Sequence, residues 1–149
     1  TTFGMFEGYW PQVARDADAE PVQREIAALV HAAGKLVVSD SLVPGPGAPW
    51  PDTEVVGRAA SRARVRALKA GDGHDLLIYG STKVWQDLFA AGLVDELHLL
   101  VGNVVLGAGV PVFAPGDAAN LAQRMSLLGQ RRLPGSEIVA LHYAVSPMQ

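Results

Sequence analysis

The sequence predicts one α/β domain across residues 1–149, with a mixed, mostly parallel central sheet flanked by helices and antiparallel strands at the C-terminal end. Two patterns carry this expectation. As far as Val101, stretches with apolar residues at helical spacing alternate with short runs rich in β-branched residues, the arrangement of parallel strands joined by helices. Beyond Val101, two strand-like runs follow without a helix between them, which favours an antiparallel pair. The length adds a third argument: 149 residues with 49% hydrophobic and 18% charged content suit a single globular core.

Each element follows from its residues. Thr2, Phe3, Phe6, Tyr9 and Trp10 recur at near-helical intervals, so a short helix opens the chain and Pro11 is expected to stop it. Between Asp16 and Gly34, Pro21 suits a first helical turn, Ile26, Leu29 and Val30 share a face, and Gly34 ends the pattern. "KLVVSDSL" is a short strand that turns polar at Ser39, and "VPGPGAPWPD" is a loop. "TEVVG" is a further strand, and Arg58 to Ala70 a helix ending at "GDG". Asp75 to Tyr79 is expected as a strand, Thr82 to Ala91 as a helix and Glu96 to Val101 as a strand. After the loop "VLGAGVPVF", strands are expected near 124–130 and 136–144. No internal repeat or linker interrupts the chain.

Composition excludes several classes of function. The absence of cysteine rules out disulfides, thiol catalysis and cysteine-held zinc. No apolar run approaches the ~20 residues that cross a bilayer. The N-terminus also lacks a basic-then-apolar leader, so no membrane partner is expected and the cytoplasm is the expected location. A formal charge of -3 gives no basis for a nucleic-acid partner, and the arginines from Arg58 to Arg66 read as a solvated helix face. His31, His74, His98 and His142 show no metal-ligand spacing along the chain, so no metal is expected. Asp95 and Glu96 are adjacent, hence on opposite strand faces, and better suited to pairing with a base than to acting as a catalytic pair. Ser81 has no G-x-S-x-G elbow, which argues against a hydrolase. Tyr9, Trp10 and Trp85 are expected to pack inward rather than frame a flat substrate.

Two strand ends carry small polar residues: Ser39-Asp40-Ser41 and Gly80-Ser81-Thr82. In open α/β sheets, ligands gather beyond the carboxyl ends of the parallel strands. At the second end a helix starts directly, so unpaired backbone N–H groups and the helix dipole point at whatever lies above the turn. Gly80 admits a close approach to the backbone, Ser81 and Thr82 add hydroxyls, and Lys83 adds charge. The same residues also suit a plain turn and helix cap.

The segment "GSTKVWQDLFAAGLVDELHLLVGNVVLGAGVPVF" resembles the dihydrofolate-reductase-like family, in its riboflavin-biosynthesis reductase (RibD C-terminal-like) branch. The likeness rests on Gly80-Ser81, Ala91-Gly92-Leu93, Asp95-Glu96, Val105-Leu106-Gly107, Gly109 and Phe113. "TTFGMFEGYWP" and "KLVVSDSL" agree with it in order, so it spans most of the chain. The resemblance implies an oxidoreductase that passes a hydride from NADPH, or NADH, to a small organic substrate such as a pterin, a pyrimidine or a carbonyl compound. It implies cofactor-binding roles for Thr2, Gly80, Ser81 and Thr82 at the pyrophosphate, and for Ser39, Asp40 and Ser41 at the adenosine end. It names no catalytic side chain here. Asp40 departs from the arginine or uncharged hydroxyl that relatives commonly carry, which weakens a 2′-phosphate contact and leaves NADH in competition with NADPH. Relatives also carry an apolar strand, an acidic loop and a Gly-Arg pair before the position of Thr1, so substrate-proximal residues are expected outside this sequence. They often pair as homodimers, for which apolar late strands supply a surface. The rival reading is a nucleotide-binding module of the same fold without turnover.

Overall fold

The computed structural model describes residues 1–113 and 123–147. They form two compact units, Thr1–Ser81 and Thr82–Gln149. The first holds helices α1 (Thr2–Val13), α2 (Pro21–Ala32) and α3 (Arg58–Lys69) and strands β1 (Leu36–Val38) and β2 (Glu54–Val56). The second holds α4 (Thr82–Ala90) and strands β3 (Glu96–Val101), β4 (Gln123–Arg132) and β5 (Val139–Pro147).

In the first unit, Thr1 caps α1: its Oγ1 accepts the Gly4 amide at 3.2 Å. The helix does not stop at Pro11 but continues to Val13. A helix-interior proline costs ~3 kcal/mol, but here the helix needs only two residues beyond it. Val13 and Trp10 repay the continuation by packing with Ala19 and Ala27. On α2, Pro21 occupies the first turn and Glu20 with Gln23 forms a reciprocal capping box. The face it buries is not the large apolar one: Ala27 is 1% exposed, whereas Ile26 and Leu29 are 39% and 65% exposed. A small side chain admits the neighbouring core residues more closely than a branched one.

The proline- and glycine-rich loop returns Trp50 to this unit. Trp50 is buried, its indole N–H donates to His31 Nδ1 at 3.2 Å, and Phe3 lies 6.1 Å from it, centroid to centroid. Lys35 lies 4.6 Å over the Trp50 ring and donates to the carbonyls of Val30, His31 and Ala33, closing the end of α2. Burial pushes its ammonium pKa below the ordinary lysine value.

Strands β1 and β2 pair in parallel, Leu36 with Glu54 and Val38 with Val56. Among the described residues no third strand joins them. The expected strand at Asp75–Tyr79 is absent, and Leu77 and Tyr79 are 86% and 68% exposed. Apolar composition alone does not make a strand; a ladder partner does.

In the second unit the order is β3-β5-β4, antiparallel throughout, with a register shift between Leu127 and Gly129. Helix α4 buries Leu88 and Phe89. Phe89, Trp85 and Phe113 form a triad with centroids 5.6–5.7 Å apart, so Trp85 packs as expected. Gln86 Nε2 donates to the carbonyls of Pro111 (3.1 Å) and Val112 (2.8 Å), tying the glycine loop to α4.

The architecture is therefore mixed α/β, but the mostly parallel sheet is corrected: the first unit holds a two-stranded parallel pair and the second a three-stranded antiparallel sheet. The antiparallel excess arises because β3 and β4 both choose β5 as partner. Among the described residues, no helix is long and apolar enough to cross a membrane.

Candidate functional site

Thr2 and Gly80, far apart in sequence, meet in the first unit. A Cβ built on Gly80 would lie 3.7 Å from Thr2 Cγ2 and 4.0 Å from its Oγ1. Gly80 has φ +64° and Ser81 φ +47°, the one non-glycine in the left-handed region among the described residues. Such a conformation costs ~1–3 kcal/mol for a side chain larger than glycine's, and its clustering at ligand sites motivates a functional reading. Thr2 opens α1. Thr1 Oγ1 takes the Gly4 amide and the Thr1 carbonyl takes that of Met5 at 3.1 Å, so the amides of Thr2 and Phe3 have no intrahelical acceptor. The start of α1 thus offers two amides without intrahelical acceptors and its positive dipole end, with the Thr2 side chain against Gly80, a chemistry suited to an anion. Thr82 is the first residue of α4 in the second unit.

The turn at the end of β1 is built differently. Ser39 Oγ accepts the amides of Leu42 (3.0 Å) and Ser41 (3.3 Å), folding the chain back on itself. Asp40 reaches along the chain to α3, whose N-cap is the side-chain-less Gly57. Its Oδ1 accepts the Arg58 amide at 2.8 Å, and its Oδ2 lies 3.4 Å from Arg58 Nε. Asp40 thus supplies the cap that Gly57 lacks.

The arginine-rich helix is less uniformly solvated than its spacing implies. Besides Arg58, Arg64 makes a two-pronged bond to Glu54 at 2.6 and 2.8 Å. Arg64 holds the Glu54 carboxyl below its ordinary pKa, and Glu54 raises that of Arg64.

One cluster escaped sequence reasoning. Glu96, His98 and His142 converge on the antiparallel sheet of the second unit, their ligand atoms within 4.8 Å of one another. Spacing along the chain cannot reveal residues joined across strands; an alternation of polar residues in two paired strands is the only signal available.

Comparison with known proteins fixes the relationship. A solved structure from Shewanella sp. PV-4, provisionally described as a riboflavin biosynthesis protein, matches with a TM-score of 0.60 and 17% identity, covering 83% of this chain and 71% of that one. At that identity the likeness shows the fold. No curated protein matches the sequence. Residues 2–136 match the RibD C-terminal domain, a span that includes Thr2, Ser39–Ser41 and Gly80–Thr82. The chain belongs to the RibD C-terminal domain family.

Proposed function

We propose that this reductase-like module binds NADPH, with NADH as the competing dinucleotide, and directs hydride transfer to a small organic substrate bearing a carbonyl or imine. The convergence of Thr2 on Gly80 carries the reading, because it sets a helix start, a hydroxyl and an open backbone around one position suited to a phosphate. The residues present fit the cofactor there, since Gly80 carries no side chain of its own and the nearest side chain to the place of its Cβ is the hydroxyl-bearing Thr2. Thr2, Gly80 and Ser81, all in the first unit, would hold the diphosphate. Ser39, Asp40 and Ser41 would face the adenosine end.

When bound, the cofactor supplies the hydride. The chain's own contribution is to fix the diphosphate and so orient the nicotinamide end. Asp40 does not meet the ribose as a lone carboxylate, because the Arg58 amide and guanidinium offset its charge. Arg58 is the cation beside that position, which supports acceptance of a 2′-phosphate and keeps NADPH first.

Isothermal titration of the protein with NADPH, NADH and ADP tests this. Binding of NADPH or NADH at least about tenfold tighter than ADP, a difference of ~1.4 kcal/mol, is expected. Equal affinity for every adenine nucleotide would instead support a nucleotide-binding module without turnover. Absence of binding to all three would overturn both.

A further inference from the structure

We infer that Glu96, His98 and His142 form a binding site for a divalent transition-metal ion of the zinc class, on the antiparallel sheet of the second unit and independent of the proposed dinucleotide site. His98 on β3 stands directly opposite His142 on β5, and their rings stack with centroids 4.1 Å apart and planes 15° apart. Glu96 lies two residues before His98, on the same face, and diagonal to His142. Its Oε2 is 2.8 Å from His142 Nε2 and 3.8 Å from His98 Nε2. Two ligands of one tetrahedral zinc ion, each ~2.0–2.2 Å from the metal, are ~3.3 Å apart. These two separations bracket that value, so rotations that turn the stacked rings toward a common point would admit an ion in place of the His142–Glu96 contact.

The surroundings leave a place for further ligands. On β4, the residue paired with His142 is Gly129, and a Cβ there would meet nothing within 4 Å. Ala140 and Ala144 flank His142 on the same face of β5. His98 and Glu96 are exposed. Two imidazoles and one carboxylate thus provide three ligands, with the remaining position open to water. Nitrogen donors select zinc, cobalt, nickel or copper over magnesium and calcium, which take oxygen. Such an ion would clip β3 to β5.

The test is titration of the chelator-treated protein with Zn2+ and, separately, Mg2+, with the visible spectrum of Co2+ as a direct report of nitrogen coordination. One equivalent of Zn2+ is expected, with much weaker Mg2+ binding and a Co2+ spectrum typical of low coordination number. His98→Gln, at an exposed position, is expected to weaken Zn2+ binding at least about tenfold, and His142→Gln likewise. Circular dichroism of each variant shows that the sheet is retained; if His142→Gln unfolds, His98→Gln and the Co2+ spectrum decide alone. Zn2+ affinity unchanged in His98→Gln, or equal affinity for Mg2+, or no Zn2+ binding, overturns the site.

Discussion

The two small-polar turns of the first unit look alike in sequence and differ in what their polar groups do. At Ser39–Ser41 the groups are consumed: Ser39 Oγ holds two amides and Asp40 caps α3. Around Gly80 and Ser81 the backbone is left-handed and no hydrogen bond of the Ser81 hydroxyl is found among the described residues. The Thr2 hydroxyl beside them is in the same state. In one turn the polar side chains already hold amides of the fold, whereas in the other the Ser81 and Thr2 hydroxyls do not, and it is there that the proposed diphosphate would sit. Residue type does not distinguish them; what does is that Ser39 and Asp40 accept backbone amides and Ser81 does not.

Substitutions at the two turns should therefore separate binding from stability. The largest effect is expected for Gly80→Val. A β-branched residue is excluded from φ +64°, so the turn must rearrange and the amides beside Thr2 move. Losing two charge-assisted hydrogen bonds at ~1.5 kcal/mol each would raise the NADPH Kd by more than about 100-fold, measured by titration calorimetry. Thr2→Val keeps the side chain's shape and removes one hydroxyl, so the Kd should rise about tenfold with the melting temperature nearly unchanged. A Thr2→Val protein that binds NADPH as before breaks the contrast between the turns.

Asp40→Ala should show the reverse pattern. Losing a cap costs ~0.5–2 kcal/mol, and the exposure of this carboxylate places it at the lower end, so a melting temperature lower by ~1–2 °C is expected. Asp40→Asn, which retains an acceptor for the Arg58 amide, should recover most of that loss. A tenfold change in the NADPH-to-NADH preference of Asp40→Asn, without loss of stability, would move Asp40 from the fold to the ligand.

The smallest effect concerns Arg64 and Glu54. Because the folded-state pKa of Glu54 is depressed, the pair contributes stability above the ordinary carboxylate pKa. That stability disappears as pH falls through the depressed value. Both groups are well solvated, so the effect is modest. Thermal melts of Arg64→Met against the parent protein should differ at neutral pH and converge in acid. A constant difference down to low pH would show that Arg64 acts through packing alone.

Some of this was legible from residues. Pro21 in the first turn of α2, the β-branched "LVV" and "EVV" runs, and the helix from Arg58 all fell where local chemistry puts them. So did the antiparallel pairing after Val101. Three expectations failed for one shared reason, that a partner outweighed a local preference. Burial of Val13 and Trp10 carried α1 through Pro11. Ala27, not Ile26 or Leu29, entered the core. Leu76 to Tyr79 met no strand and formed none among the described residues. The sites were read unevenly: the resemblance set Thr2 and Gly80 at one pyrophosphate, but nothing along the chain joined Glu96, His98 and His142.

By itself the sequence determined the α/β class, most element boundaries and the family, because these depend on backbone preferences and on motifs only a few residues long. Only tertiary structure decided which strands paired, which polar turn was consumed and that two histidines and a glutamate share one face. Those outcomes depend on distances between residues remote along the chain, and local composition does not encode such distances.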